Sequence, residues 1–157
     1  MDLVLETKKR ELDSYVLLVV RVLLGVVIFP HGAQKLLGWF GGSGFNGTMY
    51  YFTQMLHLPW IIGFLVILIE SFGALFLIVG FATRLAALGM IALAVGATLT
   101  VCLPHGFFMN WLGNQKGEGF EYHLLVLGMA LALLIGGGGK WSIDQWLRLR
   151  NEVKKAQ

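Results

Sequence analysis

Seven ionisable side chains stand within or at the edges of stretches otherwise built from aliphatic residues, aromatics and glycine: Arg21, His31, Lys35, Glu70, His105, Glu121 and His123. Carboxylates, imidazoles and a lysine in such surroundings suit two kinds of chemistry: they hold and move protons, and they hydrogen-bond the polar end of a ligand that is otherwise apolar. Metal binding is poorly served. Glu121 and His123 are two residues apart, which turns them about 200° from each other on a helix, and the chain has no Glu-x-x-His or His-x-x-x-His pair. Haem held between His31 and a later histidine is geometrically conceivable, but no residue pattern supports it. The single cysteine, Cys102, excludes an internal disulfide and any C-x-x-C relay. Neither a phosphate-binding glycine fingerprint nor a nucleophile elbow is present.

The elements that must position these groups follow from composition. Of 157 residues 57% are hydrophobic and 13% charged, with a mean hydropathy of +0.73, more apolar material than a small water-soluble core can bury. Lipid is therefore the solvent. Four apolar runs, at about 15–37, 59–79, 85–103 and 120–135, approach the roughly 20 residues that a helix needs to cross the hydrocarbon layer. The last is short, which fits little tilt or a start in the interface. None alternates apolar and polar residues as a barrel strand does, so the expected fold class is an all-α membrane protein, a bundle of four transmembrane helices.

Orientation follows from the basic residues. Nine of the twelve fall on one side of this map: Lys8, Lys9 and Arg10 before the first run, Arg84 between the second and third, and Lys140, Arg148, Arg150, Lys154 and Lys155 after the fourth. The bias places both ends in the cytoplasm (N-in/C-in) and accounts for the net charge of +3 without a nucleic-acid partner. Residues 1–14 then form a cytoplasmic N-terminal segment, 15–137 the transmembrane domain, and 138–157 a cytoplasmic amphipathic tail. Trp39, Trp60, Trp111, Trp141 and Trp146 all fall near the ends of the runs, as belt residues do. The first run is read as retained rather than as a signal peptide, because Arg21 interrupts it and no small-x-small cleavage site follows.

Depth singles out two charges. Arg21 lies about 9 Å into the first run and Glu70 about 16 Å into the second, at 1.5 Å per residue. A charge at such depth costs at least about 2.5–3.5 kcal/mol, so each needs a partner, and the expected pair is Arg21 with Glu70, which either only fixes the register of the bundle or leaves Glu70 to carry a proton or hydrogen-bond a ligand. On the first helix, Arg21, Leu24, Ile28, His31 and Lys35 share an arc of about 80°. His31, Lys35, His105, Glu121 and His123 all fall at the outer ends of their runs. Singly each has a plain explanation, such as a snorkelling lysine or a glutamate at a helix N-terminus. Together they are expected to line one outward-opening polar cavity that binds a substrate. The loop before the second run is apolar enough to place residues 48–56 at the membrane interface, or over the cavity as a lid. After Gly136 to Gly139, Ser142-Ile-Asp-Gln145 reads as a capping box. It opens a final helix with Ile143, Trp146, Leu147 and Val153 on one side and Arg148, Arg150, Lys154 and Lys155 on the other, an interfacial helix.

Arg21-Val-Leu-Leu-Gly25, His31-Gly-Ala-Gln-Lys35-Leu36, Glu70-Ser-Phe-Gly73 with Gly80-Phe-Ala-Thr-Arg84, Glu121-Tyr122, and Gly139-Lys-Trp-Ser142-Ile-Asp144 resemble the DoxX family in order and spacing, over about residues 14–145. Gly138 stands where that family often has proline. The resemblance implies a bacterial or archaeal inner-membrane protein. Related small subunits work in thiosulfate:quinone oxidoreductase, other members are linked to redox-stress or detoxification complexes, and distant eukaryotic relatives act as receptor chaperones or cargo receptors.

The leading expectation is a quinone-interacting membrane subunit of an oxidoreductase, with Glu70 and Arg21 in the catalytic role and His31, Lys35, His105, Glu121 and His123 around the quinone head. No motif for delivering electrons is visible, so a redox partner subunit is expected to supply them. The competing expectation is a non-catalytic membrane adaptor or chaperone, or a small-molecule transporter.

Overall fold

The computed structural model describes residues 2–155. Among these every regular element is helical. The first helix, α1 (Asp2–Leu37), contains neither glycine nor proline before Gly25, and Leu, Glu, Lys and Arg propagate it without a break. The helix thus runs on through residue 14, where the cytoplasmic segment is expected to meet the transmembrane domain. The helix also runs through Pro30, whose missing N–H leaves the Val26 carbonyl without its intrahelical donor. Met1 and residues 156–157, the outer limits of the two expected cytoplasmic segments, lie outside the described residues.

A short helix, α2 (Gly44–Tyr50), continues through a π turn at Tyr51–Met55. Together they take in all but the last residue of 48–56, where an interfacial segment was expected. Thr48, Met49 and Phe52 face inward, and Tyr50, Tyr51 and Met55 stay exposed. The second rod is α3 (Trp60–Leu68), a π turn at Ile69–Gly73, and α4 (Ala74–Val79). The third is α5 (Thr83–Ala97), a π turn at Thr98–Cys102, and a short 3-10 turn at Leu103–His105. The fourth is α6 (Glu121–Gly136), followed by the amphipathic α7 (Ile143–Lys155). The stretches Glu11–Leu37, Trp60–Val79 and Thr83–His105 are long and apolar enough to cross a membrane, and α6 is a shorter apolar helix of 16 residues.

The four rods close into a ring in which α1 packs on the second rod and on α6, and α5 packs on the second rod and on α6. Its centre is filled by Leu24, Ile28, Leu77, Met90, Val126 and Leu133, with Ala86, Ala87, Ala94 and Ala130 letting α5 and α6 approach. Valines and leucines such as Val16, Val19, Leu23, Leu65, Leu88 and Leu125 point outward, more exposed apolar surface than water tolerates. One end of the bundle holds the Gly80–Ala82 turn and the start of α7 and is called here the terminal end. The other holds the segments at 38–59 and 106–120 and is called the loop end.

Close approach of α1 to the second rod depends on Gly32, where a Cβ would lie 2.5–2.6 Å from the Glu70 carbonyl carbon and oxygen and 2.6 Å from Ser71 Cα. This contact sets the register of the two rods. It places Glu70, within its π turn, level with the last two turns of α1 rather than with Arg21.

Candidate functional site

Arg21 does not pair with Glu70. Its side chain is 1% exposed and every N–H of the guanidinium edge meets a main-chain carbonyl. Nε donates to Gly138 O at 2.8 Å, Nη1 to Leu77 O at 3.0 Å and to Ile78 O, and Nη2 to Lys140 O at 3.3 Å and Trp141 O at 2.9 Å. These carbonyls belong to the end of α4 and to the segment before α7, where chain reversal leaves acceptors without helical donors. The expected partner is out of reach because Gly32, not Arg21, faces Glu70, and eleven residues of helix span about 16 Å. Asp144 completes this terminal-end assembly. Its Oδ1 accepts from Ala82 N and its Oδ2 from Thr83 N, both at 2.8 Å, while its own N–H donates to Gly80 O at 3.0 Å. The carboxylate thereby holds Ala82 at φ 45°, an uncommon conformation for a residue with a Cβ. Arg84 donates to Ile135 O at 3.0 Å and ties the third rod to the fourth. Ser142 Oγ accepts from Gln145 N at 3.1 Å, the hydroxyl half of the expected capping box.

The reactive side chains gather instead toward the loop end. Lys35 Nζ meets Glu70 Oε2 at 2.5 Å, with the Glu70 side chain 9% exposed and that of Lys35 26%. Ser71, the next residue in the chain, has its Oγ buried without a partner. On α6, the Tyr122 hydroxyl is also buried and unpartnered. The Tyr122 ring lies 6.0 Å from that of His31 and 5.4 Å from that of His123. His123 Nδ1 faces the buried thiol of Cys102 at 3.8 Å. The shared arc on α1 holds: Arg21, Leu24 and Ile28 are buried and Lys35 half-buried. His31, at the edge of that arc, is exposed beside α6.

Two expected members stand apart. Glu121 is turned to the loop, where Oε1 accepts from Met109 N at 3.1 Å and Trp111 Nε1 at 2.8 Å, so it fastens the 106–120 segment to the start of α6. The His105 ring packs on Gly117 in the same segment. Two hydroxyl-bearing residues absent from the expected set adjoin it: Tyr122, whose ring lies beside those of His31 and His123, and Ser71, which follows Glu70 in the chain. Tyr122 was legible in principle, since a phenol in the first turn of an apolar helix has to find a partner for its hydroxyl.

Together these features define a multi-pass helical membrane protein with an ion pair and unpartnered hydroxyls enclosed at one end of its bundle. The chain belongs to the DoxX family, whose pattern matches residues 16–103 and so takes in Arg21, His31, Lys35 and Glu70 but not the α6 side of the cluster. It is similar to the protein named "Putative oxidoreductase CatD" of Bacillus subtilis (strain 168), with 31% identity over 116 residues, 74% of this chain and 76% of that one. It is also similar to the inner membrane protein YqjF of Escherichia coli (strain K12), with 32% identity over 139 residues, 88% of this chain and 96% of that one. No solved structure matches it.

Proposed function

We propose that the chain is a four-span, N-in/C-in protein of the inner membrane that binds a quinone at its outer end and serves as the membrane subunit of an oxidoreductase. The observation that carries the reading is the Lys35–Glu70 ion pair at 2.5 Å, enclosed within apolar rods. A buried pair of this kind adds little to stability over an apolar packing, and intramembrane ionisable groups commonly mark proton or ligand sites. The relative named as an oxidoreductase agrees with the reaction class.

A bound quinone supplies the redox chemistry, taking up two electrons and two protons on reduction. The chain's part is to present Lys35 and the imidazole N–H groups of His31 and His123 as donors to the carbonyl oxygens, and to hold a proton at Glu70. Electrons come from a partner subunit. In this orientation α7 rests its Ile143, Trp146 and Leu147 face on the cytoplasmic surface of the bilayer, with Arg148, Arg150, Lys154 and Lys155 toward the headgroups.

Calorimetric titration of a short-chain benzoquinone into the detergent-purified protein tests the reading. Binding is expected in the wild type and is expected to weaken in Glu70→Gln and in His31→Ala. Absence of binding, or affinity unchanged by both substitutions, would favour a non-catalytic adaptor or a transporter instead.

A further inference from the structure

Three threonine hydroxyls on the helices find a backbone acceptor one turn back. Thr53 Oγ1 donates to Met49 O at 2.9 Å, Thr98 Oγ1 to Ala94 O at 2.7 Å and Thr100 Oγ1 to Gly96 O at 2.8 Å. The hydroxyls of Ser71 and Tyr122, and at the terminal end that of Thr83, are buried without a partner. Such groups are costly relative to satisfied ones, and native proteins retain few. The Lys35–Glu70 ion pair relieves neither. Lys35 is a donor only, and the Glu70 carboxylate, whose Oε2 Lys35 engages, accepts from neither hydroxyl. The Ser71 and Tyr122 O–H groups thus lack an acceptor.

The surroundings place the phenol near the bundle's outer face. His31 is exposed on α1 with its ring 6.0 Å from that of Tyr122, whose hydroxyl is buried, so the phenol lies just inside the contact between α1 and α6. In a membrane protein that contact is open to apolar molecules from the lipid.

We infer that Tyr122, seconded by Ser71, is the specificity-determining donor of this site, selecting from the lipid phase an apolar ligand that carries a carbonyl oxygen. The inference rests on the reading of the cluster as a ligand site, and it adds the hydrogen bond by which the ligand is chosen. The phenol donates its hydrogen to the carbonyl oxygen, and no covalent step is involved. A ring or chain of the same shape without that oxygen leaves both hydroxyls unpaired and is discriminated against.

Three probes of equal tail length separate the two readings: an alkyl benzoquinone, an alkyl phenyl ketone and an alkylbenzene, each titrated into wild-type protein, Tyr122→Phe and Ser71→Ala in the same detergent. Both carbonyl probes are expected to bind wild type about tenfold or more tighter than the alkylbenzene, the worth of one hydrogen bond in an apolar site. Tyr122→Phe is expected to abolish that preference while its ligand-free melting temperature stays level or rises, because it removes an unpaired hydroxyl. A purely structural role for the phenol would lower the melting temperature instead, and that result overturns the inference. If the ketone shows the preference and the quinone does not bind, the inference stands and the quinone reading fails. If the three probes bind wild type alike, or Tyr122→Phe keeps the preference, the inference is overturned. Should Tyr122→Phe not fold, Ser71→Ala decides: a reduced preference supports the inference, and a full preference overturns it.

Discussion

Lys35 of the first helix closes on Glu70 of the second rod at 2.5 Å, one turn from the point where Gly32 lets the two backbones touch. The pair owes its position to that contact, because Gly32 sets which residue of the second rod lies level with Lys35. Removing one partner leaves the other charge uncompensated among apolar side chains. Lys35→Met or Glu70→Leu alone should therefore destabilise the protein in detergent by about 2–4 kcal/mol, the remaining solvent contact of Lys35 keeping the figure below that of a fully enclosed pair. The double variant should cost clearly less than the sum. Additive losses in a thermal or denaturant double-mutant cycle would show that the two charges act independently.

Gly32→Ala brings a methyl group against the Glu70 main chain, which cannot give way as a flexible side chain does. A loss of about 1–3 kcal/mol is expected, together with weaker binding of the proposed quinone as Lys35 is displaced. Gly96→Ala and Gly128→Ala, at helical positions where a Cβ meets nothing within 4 Å, serve as controls. They should be neutral or gain up to about 1 kcal/mol from helix propensity. Equal melting temperatures for Gly32→Ala and the two controls would contradict the close approach.

Arg21 holds carbonyls from two separate chain segments, so a lysine with three donors on one atom cannot replace its fork. Arg21→Lys should cost about 3 kcal/mol or more and free the 137–142 segment, detected as new protease cleavage there in otherwise intact bundles. Glu70→Gln, remote from that segment, should leave the cleavage pattern unchanged. If it instead opens the same site, the two polar assemblies are coupled.

Lys140 reports on the junction of the tail with α1. Its ammonium donates to Tyr15 Oη at 3.3 Å and Glu11 Oε1 at 3.2 Å, and these bonds, the one to Tyr15 foremost, raise its pKa above the ordinary lysine value. A cation favoured in the folded state stabilises fully below the unfolded pKa and loses that effect as pH rises through the raised folded value. The melting-temperature difference between wild type and Lys140→Met should therefore be present at neutral pH, close under strongly alkaline conditions, and shrink with added salt, since the group is exposed. A difference independent of pH would assign the effect to packing on the Tyr15 ring, over which the ammonium lies at 4.5 Å.

Hydropathy and glycine placement were enough to read the membrane solvent, the helical state, the four apolar runs and the amphipathic tail with its serine cap, because each depends on neighbours within a few turns of one chain segment. The common arc of Arg21, Leu24, Ile28 and Lys35 was legible for the same reason, as a consequence of helical period. The partners of the buried charges were not. Whether Arg21 or Lys35 reaches Glu70 depends on the axial register of two rods, which is decided by the backbone contact at Gly32 and by a π turn that shifts the face of the second rod. Likewise, Tyr122 rather than Glu121 enters the cluster through a rotation of about 100° about α6, one residue's step on a helix, and Glu121 is drawn off by the Met109 and Trp111 N–H groups. Spacing along the chain carries angle and depth within one helix, whereas the register between helices arises only when their surfaces interlock.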